Sequence, residues 1–135
     1  MAEATNFGMM EGAYFVGRKE ILEWINTTLQ LSLTKVEQTA SGAVAIQLLD
    51  MMYPGRVPMS KVNWEAKNDY EFINNYKVLQ KCFDRIGIDK HVDVDKLIRA
   101  KYQDNLEFMQ WFKRFWEHRV GGGDAEAAAA RRAYD

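Results

Sequence analysis

The chain has 135 residues, with eighteen basic and nineteen acidic side chains, two histidines and one cysteine, so one domain with a real hydrophobic core is expected and an internal disulfide is excluded. A formal net charge of −1 argues against wholesale attraction to nucleic acid or to an anionic membrane, and no apolar run nears the ~20 residues that span a bilayer. Cys82 has no partner and no N-terminal stretch combines a basic flank, an apolar run and a small-residue cleavage site, which points to a reducing, cytoplasmic or nuclear compartment.

Residues 1–16, MAEATNFGMMEGAYFV, show no sustained period and are read as an N-terminal arm that can dock through Tyr14, Phe15 and Val16. Helical spacing starts at Arg18 and puts Ile21, Leu22, Ile25 and Leu29 on one face. Gly17 is a weak start signal, because glycine brings no capping side chain. Asn26-Thr27-Thr28 fits a glycosylation sequon, but the compartment disfavours that use. Thr34 with Glu37 three residues on has the form of a capping box, so a short helix is expected to open there. The next helix, from about Gly42 to Tyr53, is apolar nearly all round and should be deeply buried. Pro54-Gly55 ends it, and Pro58 keeps the following stretch in loop until about Asn63.

From Asp69 to Ile86 the pattern is clearly amphipathic. Phe72, Ile73, Tyr76, Leu79, Phe83 and Ile86 share one side, Asn74, Lys77, Lys81 and Asp84 face outward, and Gly87 supplies the stop. Asp93 or Asp95 is expected to cap a short helix through residues 96–99. In KYQDNLEFMQWFKRFW, residues 101–116, six apolar side chains from Phe108 to Trp116 cover an arc of roughly 160° at 100° per residue, wider than a surface stripe, so the aromatics are core. After Val120, three glycines and an alanine-rich stretch read as a flexible tail or the start of a linker. The expected organisation is therefore an arm at 1–16, an all-α domain at 17–120 with four main helices and short connecting ones, and a tail at 121–135.

No catalytic chemistry is evident. His91 and His118 lack partners at metal-ligand spacing, and Cys82 sits in a helical pattern as a buried structural residue. No phosphate loop or nucleophile elbow occurs. Asp89, Asp93 and Asp95 lack the glycine and the distal glutamate of a calcium loop. The aromatics of residues 101–116 are denied the exposure that base stacking needs. No cofactor, metal or enzyme activity is expected. Charge is uneven: Arg56 to Arg119 holds thirteen Lys/Arg against ten Asp/Glu, and the remainder five against nine. Any electropositive face therefore belongs to the second half.

The strings ILEWINTTLQLSLTKVEQTASGA, QLLDMMYPG, YEFINNYKVLQKCFDRIGIDK and VDKLIRAKYQDNLEFMQWFKRF resemble the N-terminal calponin-homology domain of the end-binding (EB) family of microtubule plus-end tracking proteins, from about Arg18 to Trp116. Actin-binding calponin-homology domains share that fold but lack strings of the LTKVEQ and KYQDNLEF type. The resemblance implies a partner, tubulin in the growing microtubule lattice, met in the groove between protofilaments where four dimers join, near the exchangeable nucleotide. It implies a reader of lattice shape, with the hydrolytic site on tubulin. It also implies location in the cytoplasm and cytoskeleton, at microtubule plus ends and the spindle. The runner-up readings are an actin-binding domain and a protein-interaction scaffold.

Carried over residue by residue, the family's lattice contacts fall on Lys61, Lys67, Lys90, Lys101 and Gln103, with Arg18, Thr34, Glu37, Lys77, Lys113 and Arg114 in support. Screening over roughly 8 Å at physiological salt makes the local patch decisive over the chain total. Lys77, Lys113 and Arg114 stay open between contact and solvated helix face, and Thr34 and Glu37 between contact and cap. Ser60-Lys61-Val62 departs from the family's usual lysine pair before valine, which implies weaker and more salt-sensitive lattice binding. Family members continue into a dimerising coiled coil and an acidic end. This chain has no heptad run, so a monomer is expected here and a dimer in the full-length protein.

Overall fold

The structure, a computed structural model, describes residues 16–120. The expectations for Tyr14, Phe15, the three glycines and the alanine-rich stretch fall outside the described residues. Helix α1 spans Arg18–Leu29 and buries Ile21 and Ile25 completely, while Leu22 and Leu29 pack half-buried at the rim of the core. Gly17 contributes no side-chain cap. Beyond the left-handed Gln30 (φ 56°), the Asn26 amide closes the turn. Its Nδ2 donates to the Leu33 carbonyl at 3.0 Å and its Oδ1 accepts from the Leu33 amide at 2.9 Å. The asparagine of the sequon is thus a loop clamp.

A 3₁₀ helix follows at Val36–Ser41, burying Val36, Thr39 and Ala40. It corrects the expected capping pair. The reciprocal side chain is Gln38, whose Oε1 accepts from the backbone amides of Thr34 at 2.8 Å and Lys35 at 2.9 Å. Because the helix begins at Val36, Gln38 is the residue one turn in, and Glu37 is left out of the cap. Gly42, at φ 86°, turns the chain into α2, Ala43–Met52, in which eight residues from Val44 to Met52 are buried. The stretch expected as loop after Pro58 contains one 3₁₀ turn, Met59–Lys61.

Helix α3 covers Asp69–Ile86, as the periodicity requires. Asn68 caps it by accepting from the Glu71 amide at 2.9 Å, and Gly87 ends it at φ 91°. Phe72 and Ile73, expected inside, are only half-buried, and a polar residue, Asn75, is fully buried instead. Asn75 holds three backbone groups together: Nδ2 donates to the carbonyls of Ser41 (2.9 Å) and Asn63 (3.0 Å), and Oδ1 accepts from the Asn63 amide (2.9 Å). Cys82 is buried, and burial raises its thiol pKa. The short helix expected over 96–99 lies earlier, α4 at Val94–Leu97. Neither Asp93 nor Asp95 caps it with its side chain; Asp93 pairs with Lys96 at 3.6 Å instead.

Helix α5, Tyr102–Val120, packs against α1, α2, α4 and the 3₁₀ helix of residues 36–41. Phe108, Met109, Trp111, Phe112, Phe115 and Trp116 are all buried, each contributing about 1.5–3 kcal/mol of burial relative to exposure. The rings of Phe108, Trp111, Phe112 and Phe115 abut one another and Phe83, with Trp111 to Phe115 at 5.1 Å, Phe108 to Phe112 at 5.1 Å and Phe83 to Trp111 at 5.8 Å between centroids. Gln110 reaches back across the fold, its Nε2 donating to the Val16 carbonyl at 2.7 Å. Among the described residues the regular elements are all helical, and no helix is long and apolar enough to cross a membrane.

Candidate partner-binding surface

The start of α5 is the centre of the surface. Ala100 takes a left-handed conformation (φ 58°), reversing the chain out of α4 and presenting Lys101, Tyr102 and Gln103 as exposed residues. The backbone beneath them is fixed by the buried Asn105. Its Nδ2 donates to the carbonyls of Lys101 at 3.0 Å and Leu97 at 3.2 Å, and its Oδ1 accepts from the Thr39 hydroxyl at 3.4 Å. Exposed lysine and glutamine side chains thus rise from a backbone locked to two other elements.

Two depressions flank this point. One, of about 540 Å³, is lined by Arg18, Thr34 and Glu37 together with Lys19, Lys35 and Tyr102. The other, of about 180 Å³, is lined by Lys90, Asp104, Glu107 and neighbours from α4. Gln103 leans toward the second, donating from Nε2 to Glu107 Oε1 at 2.9 Å. Lys90 is half-buried there, with its ammonium 5.4 Å from the Trp111 ring centroid. Desolvation pushes its pKa down, and the nearby Glu107 opposes that shift. The structure thereby gathers Arg18, Thr34, Glu37, Lys90, Lys101 and Gln103 around one helix start.

The other expected residues lie elsewhere. Lys61 and Lys77 share a separate groove of about 330 Å³ with Lys81 and Arg85. Exposed Lys67 precedes α3, where its backbone amide donates to Glu71 Oε1 at 2.9 Å. That hydrogen bond is the foremost cause of the lowered Glu71 pKa. Lys113 is engaged within the chain, hydrogen-bonded to Glu117 at 3.2 Å and 5.7 Å from the Trp24 ring centroid. Arg114 is half-buried on the same helix.

Sequence reasoning missed Lys19, Lys35 and Tyr102, which line the first depression, and Asn105, which fixes Lys101. Tyr102 corrects the expectation that the aromatics of residues 101–116 all lack exposure: it is 38% exposed while those from Phe108 onward are buried. Its place ahead of the continuous apolar arc is the signal that separates it. No group of three or more metal-ligating side chains occurs among the described residues.

The helical core and the fold around it are those of a defined class. Residues 16–121 match the calponin homology (CH) domain family. The chain is 57% identical over 129 residues to microtubule-associated protein RP/EB family member 1C of Arabidopsis thaliana, covering 96% of this chain and 39% of that protein. It is likewise 57% identical over 119 residues to member 1B of the same plant, covering 88% and 41%. A solved structure described as the structural basis of microtubule plus end tracking by XMAP215, CLIP-170 and EB1 superposes with a TM-score of 0.74 at 45% identity, over 86% of this chain and 98% of that one. The chain belongs to the calponin homology domain family, in its RP/EB branch. It spans about two-fifths of the length of the curated relatives it matches.

Proposed function

We propose that this chain is a microtubule-binding module that recognises the growing plus-end lattice between protofilaments, and that the surface around the start of α5 makes the contact. The observation that carries the reading is the exposed Lys101 and Gln103 pair, set on a backbone immobilised by Asn105 and bracketed by depressions lined by Arg18, Lys19 and Lys35 on one side and Lys90 on the other. A backbone already fixed need not be ordered on binding, so more of the cations' attraction to an acidic partner is available as affinity and as partner selection. The names of the similar proteins, microtubule-associated and plus-end tracking, support the same partner.

In this reading residues 17–120 are the binding module, with the arm before it and a linker after it, and the module is a reader without catalytic chemistry of its own. Location at plus ends and on the spindle follows from that partner. The longer protein is a dimer whose two modules gain avidity by linkage. Lys61, Lys67 and Lys77 extend the contact beyond the α5 surface. A fluorescent version of the chain on dynamic microtubules tests the proposal: enrichment at growing tips over older lattice is expected. Uniform decoration removes the plus-end reading. Co-sedimentation with actin filaments in place of microtubules replaces it with the actin-binding one.

A further inference from the structure

The face of α3 away from the α5 surface carries an arrangement that packing does not explain. Lys77, Lys81 and Arg85 follow one another at four-residue steps on one exposed stripe. Like charges at that spacing destabilise a helix. Among the described residues none of them takes part in a salt bridge that would offset the repulsion. The stripe forms one wall of the 330 Å³ groove whose other side includes Lys61 and Pro58. Arg56 comes in at its end, its Nη2 donating to the Arg85 carbonyl at 3.5 Å. No carboxylate lines the groove; Asp84, next to Arg85 in the chain, is not among its lining residues.

We infer that this groove binds an extended, carboxylate-rich polypeptide segment, with Lys81 and Arg85 as principal contacts beside Lys61 and Lys77. The spacing favours that ligand. Four helical residues rise about 6 Å, and alternate side chains on one face of an extended chain are about 6.6 Å apart, so every second glutamate meets the next cation. Single-stranded nucleic acid is the poorer fit, because the lining offers no aromatic face on which bases stack. Binding of this kind requires no lattice, and its principal contacts, Lys81 and Arg85, lie outside the proposed lattice contacts, so it goes beyond that reading while sharing Lys61 and Lys77 with it.

The test is fluorescence anisotropy of a labelled octaglutamate peptide titrated with the chain, at low ionic strength and again near physiological salt. Saturable binding that weakens with salt is expected. Lys81→Glu or Arg85→Glu should each weaken it severalfold, and the pair together by about tenfold or more. Arg99→Glu, an equal charge change at an exposed position outside the groove, should stay within about twofold. The Lys81→Gln/Arg85→Gln pair, with unchanged melting temperature, separates lost contacts from lost fold. No peptide binding by the unaltered chain, or reversals no more harmful than Arg99→Glu, overturns the inference. So does an oligodeoxynucleotide of equal charge that binds as tightly. A chain that binds the peptide and fails to sediment with microtubules keeps this inference and loses the α5 reading.

Discussion

The ammonium of Lys90 stands 5.4 Å from the centroid of the Trp111 ring, so a surface charge and the aromatic core share one contact. The lysine is half-buried, and desolvation holds its pKa below the ordinary 10.5 against the opposing pull of Glu107. The native protein therefore releases this proton at a lower pH than the unfolded chain does. Within that interval the unfolded state binds more protons, and stability rises with pH. Lys90→Met keeps an apolar stem over the ring and removes the charge. It should leave the melting temperature unchanged or higher at pH 7, abolish this residue's share of the rise in stability as pH climbs toward the ordinary lysine value, and weaken microtubule co-sedimentation. Above 10 the buried Tyr76 works the other way, since burial raises its phenol pKa and the unfolded chain ionises first.

Lys101 offers the sharpest test of the α5 surface. Its side chain is exposed, and the hydrogen bond that Asn105 makes is to its backbone carbonyl, which any residue supplies. Lys101→Glu should abolish microtubule pelleting while changing stability by no more than about 0.5 kcal/mol. Pelleting at undiminished affinity would move the contact to another face.

Asn75 should be among the most sensitive polar residues in the domain. Asn75→Ala removes the partner that the Ser41 and Asn63 carbonyls and the Asn63 amide now have, and each such hydrogen bond contributes about 0.5–1.5 kcal/mol where water can replace it in part. A loss of roughly 2–3 kcal/mol in urea unfolding is expected. Binding near Lys61 should weaken too, since the chain leaving that lysine is anchored at Asn63.

Two glycines in the same backbone region of conformational space should respond differently. At Gly42 (φ 86°) a new Cβ would meet Asn75 Cβ at 3.2 Å and the Tyr76 ring at 3.4 Å, whereas at Gly55 (φ 82°) nothing lies within 4 Å. Gly55→Ala should cost about 1 kcal/mol from the left-handed backbone alone. Gly42→Ala should cost clearly more, by thermal unfolding of the two variants side by side, because neither the Asn75 network nor the buried Tyr76 can give way.

The helices that were legible in the sequence are those with a long apolar period: α3 from Asp69 to Ile86, and the buried arc of α5 from Phe108 to Trp116. There, burial of many side chains at once overrides local preference. What escaped was decided by single hydrogen bonds. Gln38 caps where Glu37 was expected, Asp93 turns to Lys96, and Asn75 and Asn105 go inside because backbone carbonyls wait there, which no periodicity encodes. The proposed contact residues were legible only through family resemblance. A lone lysine carries no pattern, and the grouping of Arg18, Thr34 and Glu37 with Tyr102 needs three distant segments brought together.

The bond from Gln110 to the Val16 carbonyl joins residues 94 positions apart, on the helix that touches most of the others. A ribosome adding about 5–20 residues per second needs on the order of 5–20 s between making the two ends of that bond. Until α5 emerges, α1, α2 and the 3₁₀ helix of residues 36–41 all lack the one helix that packs against each of them. The core is therefore completed only by its last helix, and a nascent chain stalled before Phe108 should expose apolar surface and still be in the hands of chaperones.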